Sequence, residues 1–461
     1  MRFFKSEAKF TTKELNQLFS AGIKIALELS VCTDSRAMKP GQIFLPIKGE
    51  KFDGHDYINN VFEKFKDGKS IRVLSFCEKK RIKKVKKEHR DKIIIVKDTL
   101  EAYHKLANYY RKKINPKVVA ITGSSGKTTV KDIVAAVLSS KLAVHKTESN
   151  FNNEIGVPKT ILEMPRDTEV LVLELAMRGK GEIEFLSKTA EPDIAVITNV
   201  GTAHIGRLGS RRAIIKAKSE VLKHLKRGGL AVLANDKELL KITEKVWKGK
   251  TASFDLNQAS EINFADGKTC FTIQAKRLCY EKYSVSALGN IHILNSLIAI
   301  LIAKYLGLER YEIQRGLSSF KVPLGRGGLV RLSKDTFLID ETYNANPDSV
   351  KAAVSNLTGC WKNGYKRILV LGELAELGGY ENKLLKDLSR WLVKQELDNV
   401  ITVGRRLKRF FSSSNVKNVS NTGECHAILK KLLTPYSVAL LKGSRVAGLE
   451  RIIENLVKDK N

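Results

Sequence analysis

The stretch that most constrains this chain is Val118-Val119-Ala120-Ile121-Thr122-Gly123-Ser124-Ser125-Gly126-Lys127-Thr128-Thr129, an apolar strand running into a glycine-rich turn and then a helix. Glycines let the backbone curl until its N–H groups point at phosphate oxygens, and the positive end of the following helix dipole adds to the attraction. In such a loop Lys127 reaches the β- and γ-phosphates and the Thr128 hydroxyl binds Mg²⁺, while Gly123, Ser124, Ser125, Gly126 and Thr129 complete the cradle. The commonest loop of this kind has glycine five positions before Gly126, where this chain has Ile121, so the loop is a shortened variant. The bland alternative, a Gly-Ser turn beside an exposed lysine, fits the flanking strand and helix less well.

What surrounds the loop is an alternation of strand and helix. From Lys117 onward the pattern predicts strands at 118–122, 170–176, 194–199 and 230–234 and helices at 127–140 and 211–227. Strands that are apolar throughout and separated by helices indicate a parallel sheet covered on both faces. Shorter β-like runs fall between Ala252 and Leu288, followed by helices at 291–306 and 311–319. Two breaks punctuate the chain. Ile114-Asn115-Pro116 ends a helical stretch over 100–113, because the residue before proline is pushed out of the α region. Pro323-Leu324-Gly325-Arg326-Gly327-Gly328 precedes a second αβ alternation: strands at 336–340, 368–372, 400–404 and 438–443, helices at 349–358, 382–394 and 448–457. Ahead of the first break lie strand-like runs at 42–47, 71–76 and 92–96. The expected organisation is α/β in three domains, 1–114, 115–324 and 325–461, which suits 461 residues at ~100–200 residues per domain.

Composition removes several function classes. Hydrophobic residues make up 43% of the chain, enough to bury a core, so wholesale disorder is excluded. No run reaches the ~18 apolar residues of a membrane span, and the start MRFFKSEAKF lacks an apolar leader, so the expected compartment is the cytoplasm with no stable membrane insertion. Six scattered cysteines without a C-x-x-C pair argue against a disulfide framework or a thiolate zinc site. Lys plus Arg exceed Asp plus Glu by 81 to 49, a net charge of +32 that attracts anions of any kind. The densest basic run, Lys79 to Lys87, has no aromatic interleaved for base stacking and reads as a solvated face rather than a nucleic-acid patch.

In an open parallel sheet, ligands bind outside the carboxyl ends of the strands. Polar residues at such ends are Glu174, Asn199 with His204, and Asn235-Asp236. Glu174 has the chemistry of a Mg²⁺ ligand, whereas His204 by spacing alone is as consistent with a structural role. Lys218 is the oddity. On the helix expected at 211–227 it shares the apolar stripe of Ile214, Val221, Leu222 and Leu225, whereas Lys216 lies with Glu220, Lys223 and Arg227 on the polar face. An inward lysine must snorkel, pair with an anion or lose its charge.

These segments, in order, resemble the Mur ligases. The resemblance rests on Thr33-Asp34-Ser35-Arg36, Phe52-Asp53-Gly54-His55-Asp56-Tyr57, the phosphate loop, Asn150-Phe151-Asn152-Asn153-Glu154-Ile155-Gly156, Thr198-Asn199-Val200-Gly201-Thr202-Ala203-His204 and Ala217-Lys218-Ser219-Glu220. Tyr343-Asn344-Ala345-Asn346-Pro347-Asp348-Ser349, Leu371-Gly372-Glu373-Leu374-Ala375-Glu376-Leu377-Gly378 and Lys442-Gly443-Ser444-Arg445 resemble the branch that adds D-alanyl-D-alanine. No Asp-Asn-Pro-Arg box, expected of the diaminopimelate-adding branch, is present.

The resemblance implies an N-terminal domain for the UDP end of the substrate, a P-loop-type central domain for ATP and a Rossmann-like C-terminal domain. It implies an acyl phosphate made from UDP-muramoyl-tripeptide and opened by the amine of D-Ala-D-Ala, in a monomer that needs no nucleic acid. Two Mg²⁺ ions would be held by Thr128 and Glu174 on one side and by His204 and a CO₂-derived carbamate on Lys218 on the other, with Lys127, Glu174, His204 and Lys218 as the catalytic set. Asp340, Asn344, Asn346 and Arg326 match positions around the nucleotide. Ser35, Asn150, Asn152, Asn153 and Glu154 match positions facing the UDP-peptide. The family's His-Asn pair for adenine reads Ile291-His292 here, so Asn295 or His292 takes that place. Rival expectations are a sister amide ligase with another amine acceptor, or a P-loop ATPase that responds to nucleic acid.

Overall fold

The computed structural model describes residues 8–65, 73–265, 267–276, 279–361 and 364–459. The first sheet has five strands in the order Lys9–Thr11, Glu28–Cys32, Gln42–Phe44, Leu74–Glu78, Ile93–Val96, with the first pair antiparallel and the others parallel. The second places the phosphate-loop strand Lys117–Thr122 in mid-order. Ile194–Ile197, Leu230–Ala234 and Lys250–Phe254 follow on one side, and Val170–Glu174 and Val144–Lys146 on the other. A three-stranded antiparallel sheet covers 259–285, and a six-stranded sheet runs Gly328–Ser333, Thr336–Glu341, Ser437–Lys442, Lys366–Gly372, Asn399–Val403, Val416–Val419. In this last sheet only the first pair is antiparallel.

By internal contacts the chain forms two compact units, one of residues 1–120, 143–175 and 185–193, the other of 121–142, 176–184 and 194–461. In the first, Cys32, Phe44, Phe62 and Cys77 centre a core between sheet and helix. The helix Thr99–Ile114 ends on Asn115, which adopts the left-handed conformation at φ +56° and bonds back to Arg111, a C-cap that turns the chain before Pro116. In the second, the C-terminal sheet buries a core on each face. Val350, Val354, Leu385 and Leu388 belong to one of these cores, and Cys425, Leu429, Ile452 and Leu456 to the other.

Several expected boundaries move. The strand read at 42–47 stops at Phe44, and the one read at 71–76 is Leu74–Glu78, with 71 and 72 outside the described residues. The helix read at 211–227 is α-helical only over Arg211–Ser219 and tightens to a 3₁₀ turn over Glu220–His224. That tightening corrects one assignment. Glu220 is buried rather than on the polar face, and its carboxylate accepts from the N–H groups of Gly181 and Glu184. The basic run forms 3₁₀ turns over Lys79–Lys84 and Lys87–Lys92. There Lys80 pairs with Glu78, Arg81 with Asp53, Lys84 with Asp56 and Lys86 with Glu63, as expected of a solvated face. No helix among the described residues is long and apolar enough to cross a membrane.

Candidate active site

The phosphate loop is held by the segment that follows strand Ile194–Ile197. Thr198 Oγ1 donates to Ser125 O at 2.7 Å, Asn199 Nδ2 donates to the same oxygen at 3.0 Å, and Asn199 Oδ1 accepts from Ser125 N at 3.0 Å. Ser124 Oγ accepts from Gly201 N at 2.9 Å. A glycine is required at 123, because a Cβ there would stand 1.9 Å from Thr198 Oγ1. Gly126, at φ +76°, turns the chain into the helix Lys127–Leu138, whose first N–H groups have no intrahelical acceptor. Lys127 Nζ donates to Gly123 O at 3.0 Å, so the ammonium is parked on the loop it serves.

Lys218 is 1% exposed, confirming the inward face that its spacing predicted. Burial pushes its pKa well below that of an ordinary lysine, and the nearby Lys127 charge pushes the same way. No carboxylate pairs with it among the described residues. Burial therefore disfavours its ammonium form, and a lysine buried without a carboxylate beside it is costly unless it loses its charge or gains an anion.

Glu174, in the first unit, ends its strand at 2% exposure. Its Oε1 accepts from Asn152 Nδ2 at 2.8 Å and its N–H donates to Thr147 Oγ1, whereas Oε2 is buried without a hydrogen-bond partner. A buried carboxylate oxygen left open fits a hard cation. Nearby in sequence, Asn153 Oδ1 accepts from Gly156 N, the Glu154 carbonyl accepts a bond from the buried ring of His104, and Asn150 is exposed. Ser35 opens a 3₁₀ turn capped by Asp34.

In the second unit, a helix and a loop that follow strands of the last sheet meet the 198–204 segment. Asp348 Oδ2 accepts from both Thr202 N, at 2.5 Å, and Thr202 Oγ1, at 2.6 Å. His204 adopts the left-handed conformation at φ +65°, and its Nδ1 lies 3.3 Å from Glu376 Oε2, a pairing that holds the Glu376 carboxyl below its ordinary pKa. Asp340 accepts from Gly325 N and from Thr342, and Asn346 caps the helix Pro347–Cys360 by accepting from Ser349 N, so both position backbone. Asn344 Oδ1 accepts from Ala345 N. Arg326 stacks 4.0 Å over the Tyr343 ring. Asn295 is buried beside Gly126, where a Cβ would meet its Oδ1 at 4.0 Å. One helical turn earlier, His292 is buried with Nδ1 unpartnered, and burial drops its pKa to about 4. Asp236 departs from expectation, since it caps the helix Lys237–Thr243 and pairs with Arg211 rather than standing open at the strand end.

Sequence reasoning missed the Thr202–Asp348 and His204–Glu376 pairs, although all four residues lay inside quoted motifs. Nothing local signals a contact between segments about 150 residues apart.

Three family profiles cover the chain: Mur ligase family, catalytic domain, over 30–111; Mur ligase middle domain over 121–303; and Mur ligase, glutamate ligase domain, over 325–445. This chain belongs to the Mur ligase family. It is 34% identical over 441 residues to the UDP-N-acetylmuramoyl-tripeptide--D-alanyl-D-alanine ligase of Bacillus subtilis (strain 168), covering 93% of each chain. Among solved structures it is similar to MurF from Acinetobacter baumannii, with TM-score 0.84, 28% identity and 98% and 99% of the two chains covered. It is also similar to the MurF ligase from Thermotoga maritima in complex with ADP, with TM-score 0.80, 27% identity and coverage of 94% and 97%. Membership in the family accounts for the order of the motifs and for the α/β sheets that carry them.

Proposed function

We propose that this Mur ligase uses ATP to join D-alanyl-D-alanine to UDP-N-acetylmuramoyl-tripeptide, giving the UDP-muramoyl-pentapeptide. The observation that carries the reading is the match along 93% of both chains to a ligase of that name. The site geometry supports the chemistry. The substrate carboxylate attacks the γ-phosphate of ATP, the acyl phosphate forms, and the dipeptide amine displaces phosphate.

The roles proposed for single residues combine the family resemblance with their surroundings. The loop 123–129, pinned by Thr198 and Asn199, binds the phosphates through backbone N–H groups, and Lys127 moves from Gly123 O to the transferring phosphoryl group. Mg²⁺ would supply charge neutralisation there, and the family resemblance makes Thr128, His204 and a carbamoylated Lys218 of the second unit, and Glu174 of the first, the residues that would hold it. A buried lysine whose ammonium form is disfavoured, and a buried carboxylate oxygen without a hydrogen-bond partner, fit those groups. Asp340, Asn344, Asn346 and Arg326 shape the nucleotide side, Asn295 and His292 the adenine side, and Ser35, Asn150, Asn152, Asn153 and Glu154 the UDP-peptide side. The enzyme acts as a cytoplasmic monomer.

Phosphate release measured with UDP-muramoyl-tripeptide and a panel of amines tests the assignment. D-Ala-D-Ala alone should support turnover. Turnover with a diamino acid or glutamate instead would make the chain a sister ligase. The +32 charge favours a second reading, a P-loop ATPase responsive to nucleic acid, and stimulation by DNA or RNA would replace the ligase reading with it.

A further inference from the structure

At the carboxyl edge of the C-terminal sheet the acidic groups are all engaged. Glu341 pairs with buried Lys442 at 2.9 Å and Glu373 with Arg406 at 2.9 Å, Asp340 holds Gly325 and Thr342, Asp348 holds Thr202, and Glu376 faces His204. Of the guanidiniums left without a carboxylate there among the described residues, two gather on one aromatic ring. Arg326 lies 4.0 Å and Arg445 5.7 Å from the centroid of one ring, that of Tyr343. Arg445 is exposed, yet its backbone is fixed, because both the N–H and the Oγ of Ser444 donate to Glu373 O just before the 3₁₀ turn Arg445–Ala447. Two cations gathered on one ring repel each other, and an anion between them relieves the repulsion.

We propose that Arg445 binds the free carboxylate of the incoming dipeptide, with Tyr343 and Arg326 steadying it; this subsite rests on the ligase reading above. The ATP phosphates already have a cradle at 123–129, whereas Arg445 and Arg326, two guanidiniums without a carboxylate among the described residues, share one ring and so form a paired anion site. A guanidinium matches a carboxylate with two parallel hydrogen bonds. Anchoring that end also selects for length. An extended dipeptide spans roughly 7 Å and a single amino acid about half of that, so from the same anchor a lone D-alanine falls short of the acyl phosphate.

The test crosses a change in the enzyme with a change in the substrate. Wild type, Arg445→Ala and Arg445→Lys are assayed with D-Ala-D-Ala and with its C-terminal amide. Removing one charged bidentate partner should raise KM for D-Ala-D-Ala by roughly 10- to 100-fold in Arg445→Ala, with a smaller rise in Arg445→Lys. The amide should suffer a similar rise with wild type and no further rise with Arg445→Ala. Equal penalties on acid and amide, or a loss falling on KM for ATP, would overturn the subsite. Should Arg445→Ala fail to fold, Arg445→Lys carries the same comparison. Absence of turnover by wild type with D-Ala-D-Ala would instead reject the ligase reading itself.

Discussion

Single atoms decide the phosphate loop. In Gly123→Ala the new methyl meets Thr198 Oγ1 at 1.9 Å, so the loop must open and ATP affinity should fall at least roughly 10-fold, as for loss of a well-placed anion contact. Adding Thr198→Ala removes the colliding oxygen and should recover part of the binding; calorimetric titration with an ATP analogue reads both, and equal affinities for the single and double variants would contradict the clash. Lys218→Ala should abolish turnover, with partial return on adding a small carboxylic acid, and ¹³CO₂ should give a carbamate carbon resonance in wild type that the variant lacks. Full activity of Lys218→Ala without rescue would remove the lysine from the mechanism. At this scale the inward lysine was legible because 3.6-residue periodicity places a side chain on a face. The burial of Glu220 was not, since a switch to 3₁₀ geometry rotates the next residues and leaves no mark in hydrophobic spacing.

Elements carry the coupling between the nucleotide and the last sheet. The helix Pro347–Cys360 presents Asp348 to Thr202, two positions before His204 and three after Asn199, which itself grips Ser125. Asp348→Ala should therefore lower kcat/KM by roughly 10- to 100-fold, the worth of two short bonds to a charged acceptor. Steady-state kinetics would contradict the coupling if the variant matched wild type. Strands buried on both faces, such as Val170–Glu174, were plain in the sequence as continuous apolar runs. Gly328–Ser333 and Val416–Val419 were not, because each is an edge strand, the first alternating between exposed and half-buried residues and the second only four residues long. The helix ends at Asn346 and Asn115 were read to within a few residues, whereas the helices Lys237–Thr243 and Thr422–Leu432, capped by Asp236 and Asn421, were not read at all.

For the whole molecule, two histidines buried in the neutral form set a direction for acid stability. Burial depresses both His104 and His292 from 6.5 to about 4. Between those values the unfolded chain binds protons that the folded chain refuses, so stability is present above pH 6.5 and is lost as pH falls toward 4, by at most about 3 kcal/mol for each group. Urea midpoints measured from pH 7.5 to 4.5 should decline, and less steeply in His104→Gln combined with His292→Asn; equal slopes would contradict the assignment. At the centre of the mechanism, a substrate carboxylate takes the γ-phosphoryl group as an acyl phosphate and gives up that oxygen as phosphate when the amine attacks the carbonyl carbon. This step is tested most directly with UDP-muramoyl-tripeptide carrying ¹⁸O in the reacting carboxylate, incubated with ATP, Mg²⁺ and D-Ala-D-Ala. Each phosphate released should carry one ¹⁸O, and the product should gain one dipeptide and lose one labelled oxygen as phosphate leaves; unlabelled phosphate would overturn the acyl-phosphate step.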